Sequence, residues 1–279
     1  MKKEVIAIDL GGTHFRIAIV RNGKLRGYEK HETPKSKSEI LRLLDKEIKK
    51  HVDKNTKGVG VSVAGGIYNG VIELSPNLPL KGFNIKKFIE KSCKRKIKVV
   101  VENDANCFAL GEAVYGVKKK NFFTLTFGTG IGGGIIIDGK LYVGRGNAGE
   151  LGHIMLSRGR DFEHYAGQKA LIKLIKKYYN VKTVNEKVIV KILYSKDSKA
   201  KKIRNELTDY YGQGIASLIN ILDPEVVVLG GGMSNLGKPF LNQIIKATRK
   251  HSFLQKLPPI QWSRLKNAGI LGAGELVGN

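Results

Sequence analysis

The chain has 279 residues, 42% of them hydrophobic, and this length allows two ordinary domains with a core each. No apolar run approaches the roughly 20 residues of a membrane span, and the N-terminal Met-Lys-Lys-Glu has no signal-peptide core, so we expect a cytoplasmic protein without a membrane partner. Two cysteines are too few for a disulfide framework or a cysteine-rich zinc site. A net charge of +25 favours a polyanionic partner, although a merely solvated lysine-rich surface gives the same charge.

The first predicted element is an apolar strand over residues 5–10. A turn at residues 9–13 (Asp-Leu-Gly-Gly-Thr) connects it to a second strand over residues 15–20, which forms a hairpin. Adjacent glycines let backbone N–H groups approach a phosphate, and Thr13 adds a hydroxyl. Asp9 would hold Mg²⁺ there, directly or through water, against the phosphates of a nucleotide. A tight turn with a capping aspartate is the alternative.

A helix over residues 37–51, a strand over 58–63 and a helix over 85–92 follow, which predicts a mixed α/β domain. The glycines after the first strand lack the Gly-x-Gly-x-x-Gly spacing, which argues against a dinucleotide cofactor.

The next motif follows a short buried strand, where Asn103 and Asp104 stand at the point at which the strand ends and a helix over residues 105–115 begins. Ligands of open α/β sheets bind beyond the carboxyl ends of the strands, so Asp104 is a candidate general base and Asn103 a candidate amide for recognising a hydroxyl. The alternative is that Asp104 only caps the helix.

A second predicted hairpin resembles the first. It has a strand over residues 122–127, a turn over residues 128–134 (Gly-Thr-Gly-Ile-Gly-Gly-Gly) and a returning strand over residues 135–137. The Gly-Thr pairs of the two hairpins are 116 residues apart, which indicates two domains of like topology. Two such turns would clamp the phosphates of one nucleotide. A third glycine cluster, residues 230–232, follows a strand and would pack against an adenine ring.

Between these motifs, Glu150 and His153 are three residues apart, so they could lie on one side of a turn and offer a hydrogen-bond acceptor and a donor to sugar hydroxyls. The alternative is a surface glutamate and a histidine that is hydrogen-bonded within the protein. Residues 168–204 are predicted to be helical and carry 12 Lys or Arg. A separate helix is predicted over residues 206–222, and a last one over residues 267–277.

The chain as a whole resembles a sugar kinase of the ROK family (repressor, open reading frame, kinase), within the actin-like ATPase fold. The resemblance is carried by residues 9–13, 102–106 (Glu-Asn-Asp-Ala-Asn), 128–134, 149–153 (Gly-Glu-Leu-Gly-His), 229–232 and 267–269. It implies an α/β, two-domain actin-like (RNase H-like) fold with an interdomain cleft. It also implies that the C-terminal helix returns to the first domain, so the expected domains are residues 1–115 plus 267–279 and residues 116–266.

The resemblance implies a hexose kinase in which Asp104 takes the proton of the sugar 6-hydroxyl and ATP with Mg²⁺ is the donor. A dimer is common in the family, so we expect a homodimer. The expected substrate-binding residues are Gly65, Asn77, Asn103, Asp104, Glu150, His153 and Glu163. The expected nucleotide-binding residues are Asp9, Gly11, Gly12, Thr13, Gly128, Thr129, Gly130, Gly132, Gly230, Gly231 and Gly232. Glucose is the expected hexose, although mannose, fructose and N-acetylated hexosamines differ by groups that the sequence does not place.

The chain departs from the family where members carry a cysteine segment that binds structural zinc together with the histidine. Here residues 157–163 read Ser-Arg-Gly-Arg-Asp-Phe-Glu, without a cysteine, so we expect no zinc site. This segment is similar to that of polyphosphate-dependent glucokinases, which leaves inorganic polyphosphate as an alternative donor. A sugar-responsive DNA-binding regulator is the alternative of another class, but no helix-turn-helix segment precedes the first strand.

Overall fold

The structure is a computed structural model that describes residues 4–278, with every side chain in that range except that of Glu186. The strands are β1 (Glu4–Leu10), β2 (His14–Arg21), β3 (Lys24–Glu32), β4 (Thr56–Val63), β5 (Gly66–Tyr68), β6 (Val71–Leu74), β7 (Phe83–Asn84), β8 (Lys98–Asn103), β9 (Phe122–Phe127), β10 (Ile131–Ile137), β11 (Lys140–Leu141), β12 (Met155–Ser157), β13 (Arg160–Asp161), β14 (Val226–Gly231) and β15 (Ile260–Trp262). The helices are α1 (Lys37–His51), α2 (Ile85–Ser92), α3 (Asp104–Tyr115), α4 (Phe162–Ala166), α5 (Gln168–Tyr179), α6 (Glu186–Tyr194), α7 (Ser198–Leu222), α8 (Gly237–His251) and α9 (Ala268–Glu275). Across this described range, no helix combines the length and the apolar character that a bilayer crossing requires.

The first sheet has the strand order β3-β2-β1-β4-β8. The strands β1, β2 and β3 are antiparallel neighbours, whereas β1, β4 and β8 run parallel. Asn22 and Gly23 join β2 to β3 with φ angles of 50° and 70°, as a two-residue hairpin turn of type I′ requires. The central strands are buried on both faces, because parallel strands need helices on either side.

Helices α1 and α2 cover one face of this sheet, where Leu44 and Ile89 share a core cluster with Ile8 of β1. Helices α3 and α9 cover the other face, where Ile270 packs with Ala7. Successive side chains of β1 therefore enter opposite cores, as the two-residue period of a strand dictates.

The second sheet has the order β11-β10-β9-β14-β15, with β9, β14 and β15 parallel. Asp138 and Gly139 join β10 to β11 at φ angles of 52° and 76°, again a type I′ turn, which an Asp-Gly pair favours. Beside the sheet, Tyr211 of α7 is fully buried, and its ring centroid lies 4.4 Å from that of Phe127 and 6.2 Å from that of Phe162. The aromatic side chains thus fasten α4 and α7 to the sheet.

The described chain divides into two compact units, one of residues 4–118, 134–149 and 264–278 and the other of residues 119–133 and 150–263. The boundary falls within β10, after Gly133. The structure groups residues 134–149 with the first unit, whereas the sequence assigns them to the second domain, and residues 1–3 and 279 of the expected domains lie outside the described range.

Two sequence predictions are corrected. The turn predicted over residues 128–134 is shorter, because β10 begins at Ile131 and the glycines at residues 132–134 lie in this strand. A Cβ atom on Gly134 would lie 2.6 Å from Cβ of Ala109, so this glycine allows β10 to pack closely on α3. The helix predicted over residues 206–222 begins at Ser198, with Asp197 accepting a hydrogen bond from the N–H of Ala200 as its N-cap.

Candidate active site

Asp104 is the first residue of α3, directly after the end of β8, and its side chain is exposed. The N-cap of α3 is Asn103, whose Oδ1 accepts hydrogen bonds from the N–H groups of Ala105 (2.8 Å) and Asn106 (3.3 Å). The alternative that Asp104 is the cap is therefore wrong, although its Oδ1 also accepts a bond from the N–H of Ala105 at 2.9 Å. The positive end of the helix dipole at this position stabilises a carboxylate.

Asn103 also fixes the loop after β4, because its Nδ2 donates to the carbonyl of Gly65 at 2.9 Å. Gly65 has a φ of 150°, and a Cβ atom there would overlap the carbonyl oxygen of Leu74, so only glycine fits. Ser75 donates to the carbonyl of Ala64 at 2.8 Å and holds the same loop from its other side. Three predicted residues, Gly65, Asn103 and Asp104, thus lie together in the first unit.

The first glycine turn is closed by hydrogen bonds from the N–H of Gly11 to the carbonyl of His14 (3.0 Å) and from Oγ1 of Thr33 to the carbonyl of Gly11 (2.6 Å). A Cβ atom on Gly12 would lie 2.6 Å from Cβ of Asn77, so the predicted phosphate turn touches a predicted sugar-binding residue. Thr13 is exposed at the tip of the turn. The side chain of Thr13 is therefore accessible to a ligand, whereas the N–H and carbonyl of Gly11 and the carbonyl of Thr13 are already hydrogen-bonded.

Asp9, the predicted magnesium ligand, has a partner on each oxygen. Its Oδ2 lies 2.6 Å from Nη1 of Arg16, and its Oδ1 accepts a hydrogen bond from Oγ of Ser62 at 3.0 Å. Arg16 is the residue opposite Asp9 in β2, and Ser62 is its neighbour in β4, so the sheet register brings both together. Because a guanidinium already neutralises this carboxylate, Mg²⁺ fits here through bridging water better than by direct ligation.

The second glycine turn lies in the second unit, where the N–H of Gly128 donates to the carbonyl of Gly130 at 3.0 Å and Thr129 is exposed. Oε2 of Glu163 accepts a hydrogen bond from the N–H of Ile131 at 2.7 Å, and a Cβ atom on Gly130 would overlap that carboxylate. A predicted sugar ligand, Glu163, therefore contacts the predicted phosphate turn directly. Gly132 lies in β10, not in the turn.

His153 ends a 3₁₀ turn over Leu151–His153 that follows Glu150, and the N–H of His153 donates to the carbonyl of Glu150 at 3.0 Å. Nδ1 of His153 lies 2.8 Å from Oδ2 of Asp161. This hydrogen bond raises the pKa of His153 against the opposing effect of burial, and the carboxylates of Glu163 and Glu150 add to the rise. Burial raises the pKa of Asp161, but the hydrogen bond from His153 and one from the N–H of His164 outweigh it and lower that pKa overall.

Of the third cluster, Gly230 and Gly231 end β14, and Gly232 begins a 3₁₀ turn. Gly231 has a φ of 84°, and a Cβ atom there would overlap the carbonyl of Phe127 on the neighbouring strand β9. The glycine is thus required by backbone packing, and its contact with an adenine ring stays a prediction.

Beside the second glycine turn lies a cavity of about 570 Å³. Thr129 and Glu163 are among its lining residues, as are Lys169, Lys173 and Lys177 of α5. The four-residue spacing places the three ammonium groups on one helix face. A pair of stacked rings, Tyr165 and Tyr210 with centroids 4.7 Å apart, also lines the cavity.

Sequence reasoning did not assign Asp161, Arg16 or Ser62 to the site. The position of Arg16 can be predicted from the sequence, because a hairpin that turns at residues 11–13 pairs Asp9 with Arg16. The position of Ser62 cannot be predicted in this way, because its place next to Asp9 depends on the parallel pairing of two strands that are distant in sequence.

Two sheets of this topology, each opening with a hairpin whose turn is rich in glycine, are those of the actin-like ATPase fold. The ROK family model matches residues 5–279, so the chain belongs to the ROK family, and the resemblance identified from the sequence is confirmed. The chain is 31% identical to a glucokinase from Thermotoga maritima, covering 99% of this chain and 98% of that protein. It is 30% identical to a xylose repressor from Caldicellulosiruptor bescii, covering 96% of this chain and 76% of that protein. A solved ROK family glucokinase from Streptomyces griseus, in complex with glucose and AMPPNP, is 28% identical and superposes with a TM-score of 0.82 over 99% of each chain.

Proposed function

We propose that the protein is an ATP-dependent hexose kinase that phosphorylates the 6-hydroxyl of glucose or a related hexose. The observation that carries the proposal is the position of Asp104, an exposed carboxylate at the start of α3 beyond the end of β8, beside an asparagine that is held in one orientation. The glucokinase relative and the solved complex with glucose and AMPPNP support a sugar and a nucleotide as substrates.

In this mechanism Asp104 accepts the proton of the 6-hydroxyl as the hydroxyl oxygen attacks the γ-phosphorus and the bond to the β-phosphate oxygen breaks. Asn103 donates one N–H of its amide to the carbonyl of Gly65, and the second N–H of the amide would donate to a sugar oxygen. Glu150, His153 and Glu163 of the second unit supply further acceptors and donors for sugar hydroxyls.

The two glycine turns supply backbone N–H groups to the phosphates, with the hydroxyls of Thr13 and Thr129 beside them. Phosphoryl transfer depends on alignment and charge neutralisation more than on covalent chemistry, so these groups suit the reaction. Mg²⁺, when bound with the nucleotide, would neutralise phosphate charge, and Asp9 would hold it through water.

The substitution Asp104→Asn tests the proposal, because it keeps the shape and removes the base. We expect kcat to fall by about 100-fold or more, with sugar affinity and folding nearly unchanged. The measurement is hexose 6-phosphate formation over a panel of hexoses and N-acetylhexosamines with ATP and Mg²⁺. A variant with near-normal kcat would remove Asp104 from its role, and a wild-type protein that phosphorylates no sugar but shifts DNA in a gel would favour the regulator.

Inorganic polyphosphate is a second candidate donor, which the lysine face of α5 favours. Lys169, Lys173 and Lys177 line a cavity that Thr129 of the second glycine turn also lines, so a long polyanion could contact both the turn and the helix. ATP remains the first candidate, because both glycine turns and the cluster at residues 230–232 resemble those of ATP-using members.

The donors are separated by a variant carrying Lys169→Gln and Lys173→Gln. We expect about a tenfold higher KM for nucleotide-free polyphosphate and little change in the KM for ATP, because ATP has too few phosphates to reach along α5. A matched control is Lys176→Gln, since Lys176 is an exposed lysine of the same helix that does not line the cavity. No product from polyphosphate in the wild type would dismiss this donor.

A further inference from the structure

A group of metal-ligating side chains lies in the first unit, between β3 and α1. Glu29 and His31 are two residues apart on β3, so they lie on the same face of the strand. Glu47 and His51 are four residues apart on α1, so they lie on the same face of the helix. The face of β3 that carries the first pair is turned toward α1, and four potential ligands converge.

The distances suit a shared cation. One ligand atom from each of Glu29, Glu47 and His51 lies within 4.8 Å of the other two. Nε2 of His51 is 3.4 Å from Oε1 of Glu29, and Nε2 of His31 is 3.7 Å from Oε2 of Glu29 and 3.9 Å from Oε1 of Glu47. Ligands about 2.0–2.1 Å from a tetrahedral zinc ion stand roughly 3.3 Å apart, so a small contraction would complete the site.

Two atoms of the group lack the hydrogen bonds that buried polar atoms normally have. Glu47 is only 1% exposed, and within the described residues its Oε2 has no hydrogen-bond partner. The same holds for the buried Nε2 of His31. A buried carboxylate oxygen without a hydrogen bond is costly, and although Nζ of Lys50 and Nδ1 of His51 each lie 4.0 Å from Oε2, a cation bound between this oxygen and the histidines would remove that cost.

His51 is oriented as a metal ligand would be. Its Nδ1 lies 2.8 Å from the carbonyl oxygen of Glu47, which can only accept, so Nδ1 carries the proton. With the proton on Nδ1, Nε2 is the ring atom left to ligate a cation, and it lies 3.4 Å from Oε1 of Glu29 and 3.4 Å from the carbonyl oxygen of Gly27. A ligating histidine commonly donates its other ring N–H to a backbone carbonyl in this way.

We propose that Glu29, Glu47 and His51, with His31 as the fourth ligand, form a binding site for a divalent cation of the zinc class. Mixed imidazole and carboxylate ligands suit Zn²⁺ better than Mg²⁺, which prefers oxygen alone. The site needs no cysteine, so it is distinct from the site that the missing cysteine segment would have formed, and the expectation of no zinc stays a prediction that the test below decides. It lies outside the residues proposed for catalysis and does not depend on the proposed function.

One competitor is already present. Nζ of Lys50 lies 2.7 Å from Oε1 and 2.8 Å from Oε2 of Glu29, and it would have to leave for the metal to bind. The Lys50 side chain is 55% exposed, so its ammonium can move into solvent at little cost. Removing this ammonium should therefore strengthen metal binding.

The test uses the untagged full-length chain, freed of metal by a chelator and titrated with ZnCl₂ against a chromophoric competitor, with MgCl₂ in parallel. We expect one Zn²⁺ per chain, a rise in Tm with Zn²⁺, and little response to Mg²⁺. Glu29→Gln and His31→Ala should each weaken binding at least tenfold, and Lys50→Gln should tighten it. Glu32→Gln is the matched control, because Glu32 is an exposed glutamate of the same strand and should leave zinc affinity unchanged.

Glu29 and His31 are both partly exposed, so their variants should fold, which circular dichroism would verify. Less than one zinc per ten chains would overturn the proposal and leave the group as a network of hydrogen bonds and charged contacts. Stoichiometric binding that is insensitive to both Glu29→Gln and His31→Ala would overturn it as well, because the metal would then lie elsewhere.

Discussion

The carboxylate of Asp161 fixes the ring of His153, since Nδ1–H donates to it at 2.8 Å and leaves Nε2 as the atom that faces a ligand. Asp161 belongs to the segment in which family members carry zinc-binding cysteines. A carboxylate therefore orients the histidine here by a hydrogen bond, without a cysteine from that segment.

The first prediction at this scale concerns Asp161→Asn. The neutral amide removes the main cause of the raised pKa of His153, so that pKa should fall toward the ordinary value of about 6.5. NMR titration of the imidazole protons measures it directly, with His251, which is bonded to Asp209, as the internal control. An unchanged His153 pKa would mean that Asp161 does not act on the ring in solution.

The sign of the stability effect follows from the same pair. A histidine whose pKa is raised on folding adds stability that is fully present below its unfolded value and is lost as the pH rises through the folded value. The difference in unfolding free energy between wild type and Asp161→Asn should therefore be larger below the ordinary histidine pKa of about 6.5 and decrease as the pH rises through the higher pKa of His153 in the folded state. It should also be small, because the His153 side chain is 56% exposed and solvent screens the pair.

At the residue scale, local patterns placed Asn103 and Asp104 correctly at the junction of strand and helix, because that junction is set by a few neighbouring residues. They did not decide which of the two caps the helix, since Asn and Asp are equally good N-caps. The partners of Asp9 and the group around Glu47 depend on which strand or helix lies beside which. That information is in the tertiary fold and not in any short motif.

At the scale of elements, the contact between α3 and α9 depends on glycine. A Cβ atom on Gly272 of α9 would overlap the carbonyl oxygen of Cys107, and one on Gly111 of α3 would overlap that of Ala268. The two backbones approach too closely for any side chain at these positions. Glycine is unfavourable in a helix, so its presence here reflects packing.

The substitution Gly272→Ala should therefore destabilise the protein by about 2 kcal/mol or more, because the methyl group forces α9 away from α3. The matched control is Gly269→Ala in the same helix, where a Cβ atom would meet nothing within 4 Å. There the better helix propensity of alanine should stabilise the protein by up to about 1 kcal/mol. Urea unfolding of both variants measures the difference, and equal stabilities would show that the helices do not pack so closely.

Glycines that serve close packing also explain why the sequence predicts the bounds of some strands and helices wrongly. Glycine-rich stretches indicate turns when they are judged by local propensity, yet Gly132, Gly133 and Gly134 lie in β10. Likewise, α7 contains Gly212 and Gly214, whose missing side chains make room for Ala247 and the ring of Phe162. The bounds of α1 and α2, which follow amphipathic periodicity and contain no glycine, were predicted correctly.

At the scale of the whole molecule, the proposed sugar ligands are divided between the two compact units. Gly65, Asn103 and Asp104 belong to the first, and Glu150 and Glu163 belong to the second. A hexose that contacts both groups would link the units, and its binding energy would favour whichever arrangement of the units satisfies both sets of hydrogen bonds.

The last prediction is that a saturating hexose reduces the radius of gyration measured by small-angle scattering. The proposed reaction needs water to be excluded from the transferring phosphoryl group, and closure of the units around the substrates would exclude it. Asp104→Asn should still compact, since it keeps hydrogen-bonding groups for the sugar, whereas a variant combining Asn103→Ala and Glu163→Ala should compact only at much higher sugar concentration. An unchanged radius in the wild type, at a sugar concentration shown by calorimetry to saturate binding, would mean that the site is already closed before the sugar arrives.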